Sequence, residues 1–318
     1  MNFAYPPYIL FLPLPLIFLN YDWSQAIWMA TNLLLLLCMG LFFFPRAPKW
    51  IPLTLLLFYP IYFTLIIGNT ALLIGLLLIV TINILFFKKE ANSHIDLILG
   101  MLLAFTTGKP QMVWFFILLI FFYCITKKRW QLIYGFGINF MLINIVSFAI
   151  YPSWLIHWVQ NTLSYSKEGG IAPTFVWYLL AVFSESQAYL VYAIVFLLSL
   201  PVSIYLFWRW KGGKFDTLSL ITYVAFITNL FDPSSLTPDK IVLLIPLFLW
   251  TIKNPSSKVG KIIWFMGILL SNAAFIIGKT TPFPLAVDML PLLFFSLWMI
   301  YIIPQNIKHH PITFQPDN

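Results

Sequence analysis

The sequence predicts an all-α protein that crosses a membrane many times. Hydrophobic residues make up 61% of its 318 residues and charged residues only 9%, and apolar runs recur at lengths near those of a spanning helix. Unbroken stretches of Leu, Ile and Phe, as in residues 70–87, differ from the short alternating strands of a membrane β-barrel. We therefore expect a single transmembrane domain over residues 1–318, a polytopic helical bundle.

The first 23 residues are predicted to form an outer juxtamembrane segment. Their apolar run, from Tyr8 to Leu19, is too short to span and contains Pro13 and Pro15. The helical bundle then covers residues 24–303, and residues 304–318 form a cytoplasmic tail. The bundle begins at Ser24, which suits an N-cap. About eleven spans are predicted: 24–44, 51–67, 70–87, 95–107, 110–126, 130–150, 188–208, 217–231, 238–252, 261–278 and 283–303.

Some of these spans are shorter than the hydrocarbon core of a bilayer. Spans 95–107 and 238–252 fall below the roughly 20 residues that cross it. We expect them to surround a cavity that opens on the outer face.

Basic residues collect on one side of this topology. Fourteen of the 18 Lys and Arg residues fall on the side of the C-terminus, and the positive-inside bias assigns that side to the cytoplasm. This predicts a multi-pass protein of the cell membrane with its N-terminus outside. The net charge of +8 then reflects topology rather than nucleic-acid binding. The outer face is expected to carry the remaining lysines and five carboxylates: Lys109, Lys167, Lys240, Lys279, Asp22, Glu168, Glu185, Asp232 and Asp239.

Gly108-Lys109-Pro110-Gln111 is a polar break between two apolar runs. Proline suits the first helical position, so unpaired helix N–H groups and the positive end of the helix dipole should lie beside Lys109. Such an arrangement binds anions. The alternative is a lysine that extends to the surface and marks the membrane edge.

Other outer-facing helix starts carry polar residues. Asn69 follows Gly68 at one start, and Asp239-Lys240 lies at another. If these starts converge on one cavity, they would suit a phosphate or pyrophosphate group. Lys109 is the first candidate for the phosphate, followed by Lys240 and Asn69.

His157 lies in the largest outer loop, in a Trp-rich stretch at residues 154–159 that suits an interfacial amphipathic helix. It is either a proton shuttle or a structural residue beside interfacial tryptophans. His309 and His310 stand without further ligands. We predict no metal site and no cofactor.

Several motifs follow one another in a recognisable order. They are Tyr5-Pro6-Pro7, Pro-Leu-Pro-Leu at 13–16, Ala26-Ile27-Trp28, Gly68-Asn69, Gly108-Lys109-Pro110 and Lys127-Lys128-Arg129-Trp130, with a later echo at Asp232-Pro233-Ser234-Ser235. Over residues 5–136 this order resembles glycosyltransferase family 87, the polyprenyl-phosphate-sugar-dependent membrane glycosyltransferases of the GT-C class.

The resemblance implies a GT-C-type fold and the transfer of a mannose-like hexose or pentose from a polyprenyl-phosphate-linked donor. The acceptor would be a glycan or glycolipid on the outer face. The reaction needs a carboxylate to deprotonate the acceptor and cations or dipoles to hold the leaving phosphate. The substrate cavity is expected to include Tyr5, Pro6, Pro7, Gln111 and His157.

The catalytic carboxylate is less clearly marked. In this family a first helix and an outer loop with an acidic catalytic residue precede the Tyr-Pro-Pro motif, so we expect that residue upstream of this chain. Asp22 is the only carboxylate close to the motif, and its alternative role is that of an interfacial residue before the Ser24 cap. Two positions depart from the family: Asn69 stands where glutamine is usual, and Lys240 lies near an expected histidine.

Two other functions fit the same pattern. A polar cavity among short spans also suits a transporter or flippase of lipid-linked sugars, although no inverted repeat is evident. The chain also fits an inactive, truncated gene product.

Overall fold

The computed structural model describes residues 5–40, 44, 48–87, 92–168, 176, 179–180, 183–232, 237–254, 256–280, 294–299 and 301–302. The ordered elements in these ranges are helices, and no strand occurs there. The all-α prediction is confirmed.

The chain begins with two short 3-10 helices, η1 and η2, and a third, η3, precedes the last long helices. The 3-10 helices are η1 (Pro7–Phe11), η2 (Leu14–Phe18) and η3 (Thr237–Lys240). The α-helices are α1 (Tyr21–Cys38), α2 (Trp50–Leu55), α3 (Tyr59–Ile66), α4 (Ala71–Phe87), α5 (Ser93–Thr106), α6 (Pro110–Thr126), α7 (Trp130–Ile150), α8 (Trp154–Glu168), α9 (Glu185–Lys211), α10 (Thr217–Leu230), α11 (Ile241–Lys253) and α12 (Lys258–Thr280).

Three of the described helices are long and apolar enough to cross a membrane. They are α7, α9 and the part of α12 from Lys258 to Ile277. Shorter apolar helices accompany them: α4, α5, α6 and α10. These helices are typical of a membrane protein, while the count of eleven spans and their orientation stay predictions.

The predicted span 51–67 is two helices rather than one. Helix α2 ends at Leu55 and α3 begins at Tyr59, with Phe58 in an extended conformation (φ −73°, ψ 125°) before it. Pro60 at the second position of α3 has no N–H to bond to the preceding turn, so a continuous helix is interrupted there. The predicted span 283–303 lies largely outside the described residues and the tail 304–318 entirely so.

The contacts within the chain divide it into two compact units. The first comprises Met1–Ile171 and Leu236–Ile241, and the second Ala172–Ser235 and Val242–Asn318. The lysine, carboxylate and aromatic groups discussed below lie in the first unit.

Helices α5 and α7 form the closest helix pair of the first unit. A Cβ atom added at Gly100 would lie 2.0 Å from the Leu132 carbonyl oxygen, and one added at Gly135 would lie 2.1 Å from that of Leu97. Small residues at facing positions let two helix backbones approach this closely. Asn139 Nδ2 adds a hydrogen bond to the Met101 carbonyl oxygen at 2.6 Å.

A buried ion pair joins α5 to the turn between α6 and α7. Arg129 donates from Nη2 to Asp96 Oδ1 and from Nε to Asp96 Oδ2, the latter at 2.8 Å. Burial lowers the pKa of Arg129, but the Asp96 carboxylate and Tyr123 together outweigh burial, so the pKa is raised overall. Tyr123 adds a link to α4 by donating to the Leu85 carbonyl oxygen at 2.6 Å.

The second unit is built around α10. Asp216 caps this helix by accepting from the Ser219 N–H at 2.9 Å, and most residues of α10 are buried. Helix α9 is mostly exposed, but Ser203 Oγ lies 2.9 Å from the Tyr223 hydroxyl on α10.

Candidate functional site

Lys109 lies directly before α6, which begins at Pro110 as the sequence predicts. Its side chain is only 1% exposed. A lysine that marks the membrane edge would extend its ammonium to a surface, whereas this ammonium is enclosed by protein.

The partner of Lys109 is Asp239, which lies 130 positions further along the chain. Lys109 Nζ donates to Asp239 Oδ1 at 2.6 Å, and both side chains are 1% exposed. Gln111 Nε2 donates to the second oxygen, Oδ2, at 3.2 Å. The Lys109 ammonium also lies 5.1 Å from the centre of the Tyr5 ring, within range of a cation–π interaction. We call Lys109, Asp239, Gln111 and Tyr5 the Lys109 cluster.

The charge of Lys109 is maintained by this cluster. Burial is the largest single influence and lowers the pKa of Lys109, because a buried ammonium loses its hydration. The charge and hydrogen bond of Asp239, together with Tyr5, raise the pKa by more, so it lies above the usual value for lysine. The ammonium therefore stays positive at any physiological pH.

Asp239 reaches this position through η3, which packs against α3 and α4. Lys240, the second predicted lysine, follows Asp239 directly and is the last residue of η3. Its side chain is buried, with 3% exposure. Of the predicted site residues, Lys109 and Gln111 both contact the Asp239 carboxylate, and Tyr5 contacts the Lys109 ammonium.

The Tyr-Pro-Pro motif packs on the turn that holds Lys109. Pro6 is buried before η1 and Pro7 is its first residue. The next residue, Tyr8, donates from its hydroxyl to the Thr107 carbonyl oxygen at 3.1 Å. A Cβ atom at Gly108 would meet the Ile9 side chain, so a larger residue there would require Ile9 to shift.

Asn69 starts a helix. Its Oδ1 accepts from the Ala71 N–H at 2.9 Å, where α4 begins. The side-chain carbonyl oxygen is therefore engaged in a turn that leads into the helix, and the side-chain amide nitrogen is the donor group of Asn69.

Two predicted residues lie apart from the Lys109 cluster. The predicted Ser24 cap is wrong: α1 begins at Tyr21, and Asn20 caps it by accepting from the Trp23 N–H at 3.0 Å. Asp22 is therefore exposed in the first turn of α1, where the helix dipole favours a carboxylate. His157 is exposed on α8, with Nδ1 at 3.0 Å from the Ser153 carbonyl oxygen and its ring stacked on Tyr151. Among the described residues, no contact joins either side chain to Lys109 or Asp239.

Asp239 is the central residue that the sequence reasoning did not select. The predicted topology puts Asp239 and Lys109 on the same outer face. This shared location is the sequence signal that Asp239 could pair with Lys109. Across the described part of the chain, no three His, Cys, Asp or Glu side chains lie close enough together to hold a metal ion.

The model of glycosyltransferase family 87 matches residues 3–233, which is more than half of the chain. No curated protein and no solved structure matches the chain significantly. The matched segment includes the Tyr-Pro-Pro motif and the turn with Lys109. The chain belongs to glycosyltransferase family 87, which indicates a membrane glycosyltransferase.

Proposed function

We propose that this protein transfers a sugar from a polyprenyl-phosphate-linked donor to an acceptor on the outer face of the membrane, and that the Lys109 cluster forms part of the donor-phosphate site. One observation carries the proposal: a buried, charged lysine at the start of α6, in a chain that belongs to a glycosyltransferase family.

The geometry leaves capacity for a phosphate. An ammonium has three protons to donate. Asp239 Oδ1 accepts one of them from Lys109, and the Tyr5 hydroxyl takes part in a second hydrogen bond, which leaves one for a phosphate. Pro110 has no N–H, and the Met112 N–H donates to the Lys109 carbonyl oxygen at 3.1 Å. A phosphate at this helix start would therefore receive hydrogen bonds from the Gln111 N–H and from the ammonium.

Sugar transfer places growing negative charge on the leaving phosphate as its bond to the sugar breaks. A fixed cation and a helix N-terminus stabilise that charge more in the transition state than in the donor, which lowers the barrier. In this proposal Asp239 keeps Lys109 charged and oriented, and Gln111 holds the second oxygen of Asp239. Lys240 and Asn69 are secondary candidates for contacts to the donor.

The acceptor hydroxyl loses its proton to a carboxylate. Asp22 is the candidate for this role within the sequence, as the carboxylate nearest to Tyr5-Pro6-Pro7. The exposed position of Asp22 leaves it open to solvent or acceptor. A mannose-like hexose or pentose as the sugar, and a glycan or glycolipid as the acceptor, complete the proposal. No further cofactor is required.

The family assignment favours transfer over the transport of lipid-linked sugars. The binding of a polyprenyl phosphate to the purified chain tests the proposal without requiring turnover. The wild type should bind the phosphate form more tightly than the corresponding polyprenol, and substitution of Lys109 by Met should abolish that difference. Equal binding of both lipids by the wild type would contradict the proposal.

A further inference from the structure

The turn between α11 and α12 carries a group of exposed lysines. Lys253 is the last residue of α11, and Lys258 and Lys261 lie in the first turn of α12. All three side chains are exposed. No Asp or Glu occurs in the sequence between Lys240 and Asp288, so the neighbouring residues supply no carboxylate. We call Lys253, Lys258 and Lys261 the lysine turn.

The fold brings little negative charge to the lysine turn. Asp216, at the start of α10, is the carboxylate whose charge acts on Lys253, and its Oδ2 already caps α10. Among the described residues, neither Lys258 nor Lys261 forms an ion pair. Their charges do not stabilise α12 either, because the positive end of a helix dipole disfavours cations in the first turn. The two ammonium groups therefore face the surroundings of the protein.

The length of α12 gives the level of the lysine turn in a bilayer. The segment from Lys258 to Ile277 is apolar enough to cross a membrane. Its 20 residues extend over about 30 Å, which is the thickness of the hydrocarbon core. Lys258 therefore lies at one boundary of this core. Lys261, about one turn further along, reaches the same level by extending its side chain.

One side of α12 next to the lysine turn is apolar and exposed. Val259, Ile262, Met266 and Leu269 follow one another at intervals of three or four positions, and each is more than 40% exposed. This spacing places them along one face of the helix. Acyl chains can pack on such a face while their headgroup lies beside the lysines. The surface therefore matches a phospholipid in both its apolar and its charged part.

We propose that the lysine turn binds the headgroup of an anionic glycerophospholipid whose acyl chains lie along the exposed face of α12. The orientation predicted from the sequence puts this end of α12 on the cytoplasmic side, where anionic lipids attract basic segments. A zwitterionic headgroup fits less well, because its own cation faces the same lysines. The surface belongs to the second unit and does not rest on the donor-phosphate proposal.

The test compares phosphatidylglycerol and phosphatidylcholine with identical acyl chains. The purified full chain is equilibrated with an equal mixture in nanodiscs at low ionic strength, where exposed charges are little screened. It is then transferred to mild detergent, and retained lipids are identified by native mass spectrometry. We expect phosphatidylglycerol to be favoured about fivefold or more, which is the effect of one basic residue near an anionic surface.

Substitutions test the assignment to the lysine turn. Lys258→Gln/Lys261→Gln should reduce the preference to about twofold or less, whereas Lys258→Arg/Lys261→Arg should preserve it because the charge is kept. Lys211→Gln/Lys214→Gln is the matched control. It removes two exposed lysines from the turn between α9 and α10, which stand close to Asp216 in the sequence, and should preserve the preference.

Four results would overturn the proposal. Equal retention of the two lipids by the wild type would mean that the lysines only mark the membrane edge, and the absence of any retained phospholipid would exclude a binding surface. An unchanged preference in Lys258→Gln/Lys261→Gln would place the binding elsewhere. Equal losses in this variant and in Lys211→Gln/Lys214→Gln would assign the preference to the overall basic charge of the second unit.

Discussion

Lys109 and Asp239 form a buried ion pair that joins the start of α6 to η3 across 130 positions of the sequence. Both side chains are almost fully enclosed. Because a buried charge that loses its partner is strongly destabilising, substitution of either residue alone should destabilise the fold. The pair also sets the electrostatic conditions under which a phosphate would bind.

The crossing of α5 and α7 yields a prediction about stability. Gly100→Ala should destabilise the protein by about 1 to 3 kcal/mol or more, because the new methyl group meets the Leu132 carbonyl oxygen rather than a movable side chain. Gly135→Ala should behave similarly. Gly137→Ala is the matched control, since a Cβ atom there meets nothing within 4 Å. Thermal unfolding in detergent should show the control at or above wild-type stability, and equal effects at Gly100 and Gly137 would contradict the observed packing.

The Asp96–Arg129 pair gives a second prediction. Asp96→Asn should cost about 3 to 5 kcal/mol of stability, because the guanidinium stays buried without its counter-charge. Arg129→Lys should not restore the wild type, since an ammonium lacks the planar fork that binds both carboxylate oxygens. Asp22→Asn removes an exposed carboxylate and serves as the control, with an expected loss of about 1 kcal/mol or less. Similar losses for Asp96→Asn and Asp22→Asn would show that the buried pair is not required.

Tyr8 gives a prediction that depends on pH. Burial raises the pKa of Tyr8 above its usual value of 10.0, so the folded protein holds the phenolic proton more firmly than the unfolded chain does. This contribution to stability is complete below pH 10 and is lost as the pH rises beyond it. Tyr8→Phe should reduce the melting temperature at pH 8 by removing the hydrogen bond to Thr107.

The difference between wild type and Tyr8→Phe should then shrink as the pH is raised from 9 to 11. Tyr21→Phe is the control, because Tyr21 is exposed at the start of α1, and should change little at any pH. A difference that stays constant over this range would contradict the assigned burial of the phenol.

The helices around the site could be predicted closely from sequence. The predicted spans 110–126 and 130–150 have the same bounds as α6 and α7, because Pro110 and the basic turn at residues 127–129 mark the ends of apolar runs. The split between α2 and α3 was missed, since an apolar run continues across residues 56–58 and only Pro60 signals a break.

The site was predicted in part for a similar reason. Local sequence places Lys109 at a helix start, and this placement is confirmed. The partner Asp239 could not be predicted from span boundaries, because these do not tell which helix ends meet. The pairing depends on the packing of η3 against α3 and α4, which is a tertiary feature.

The affinity of the purified chain for a polyprenyl phosphate tests the role of Lys109 most directly, when Lys109→Met and Asp239→Asn are measured at a temperature where both are folded. A charged hydrogen bond to phosphate is worth about 1.5 to 3 kcal/mol, so Lys109→Met should weaken binding about tenfold to a hundredfold. Asp239→Asn should weaken it as well, because the Asp239 carboxylate keeps Lys109 charged and oriented. Lys211→Met, at an exposed lysine of α9, should leave the affinity unchanged. If both variants at the pair lose stability yet bind the lipid as the wild type does, the pair is structural and Lys109 does not bind the donor phosphate.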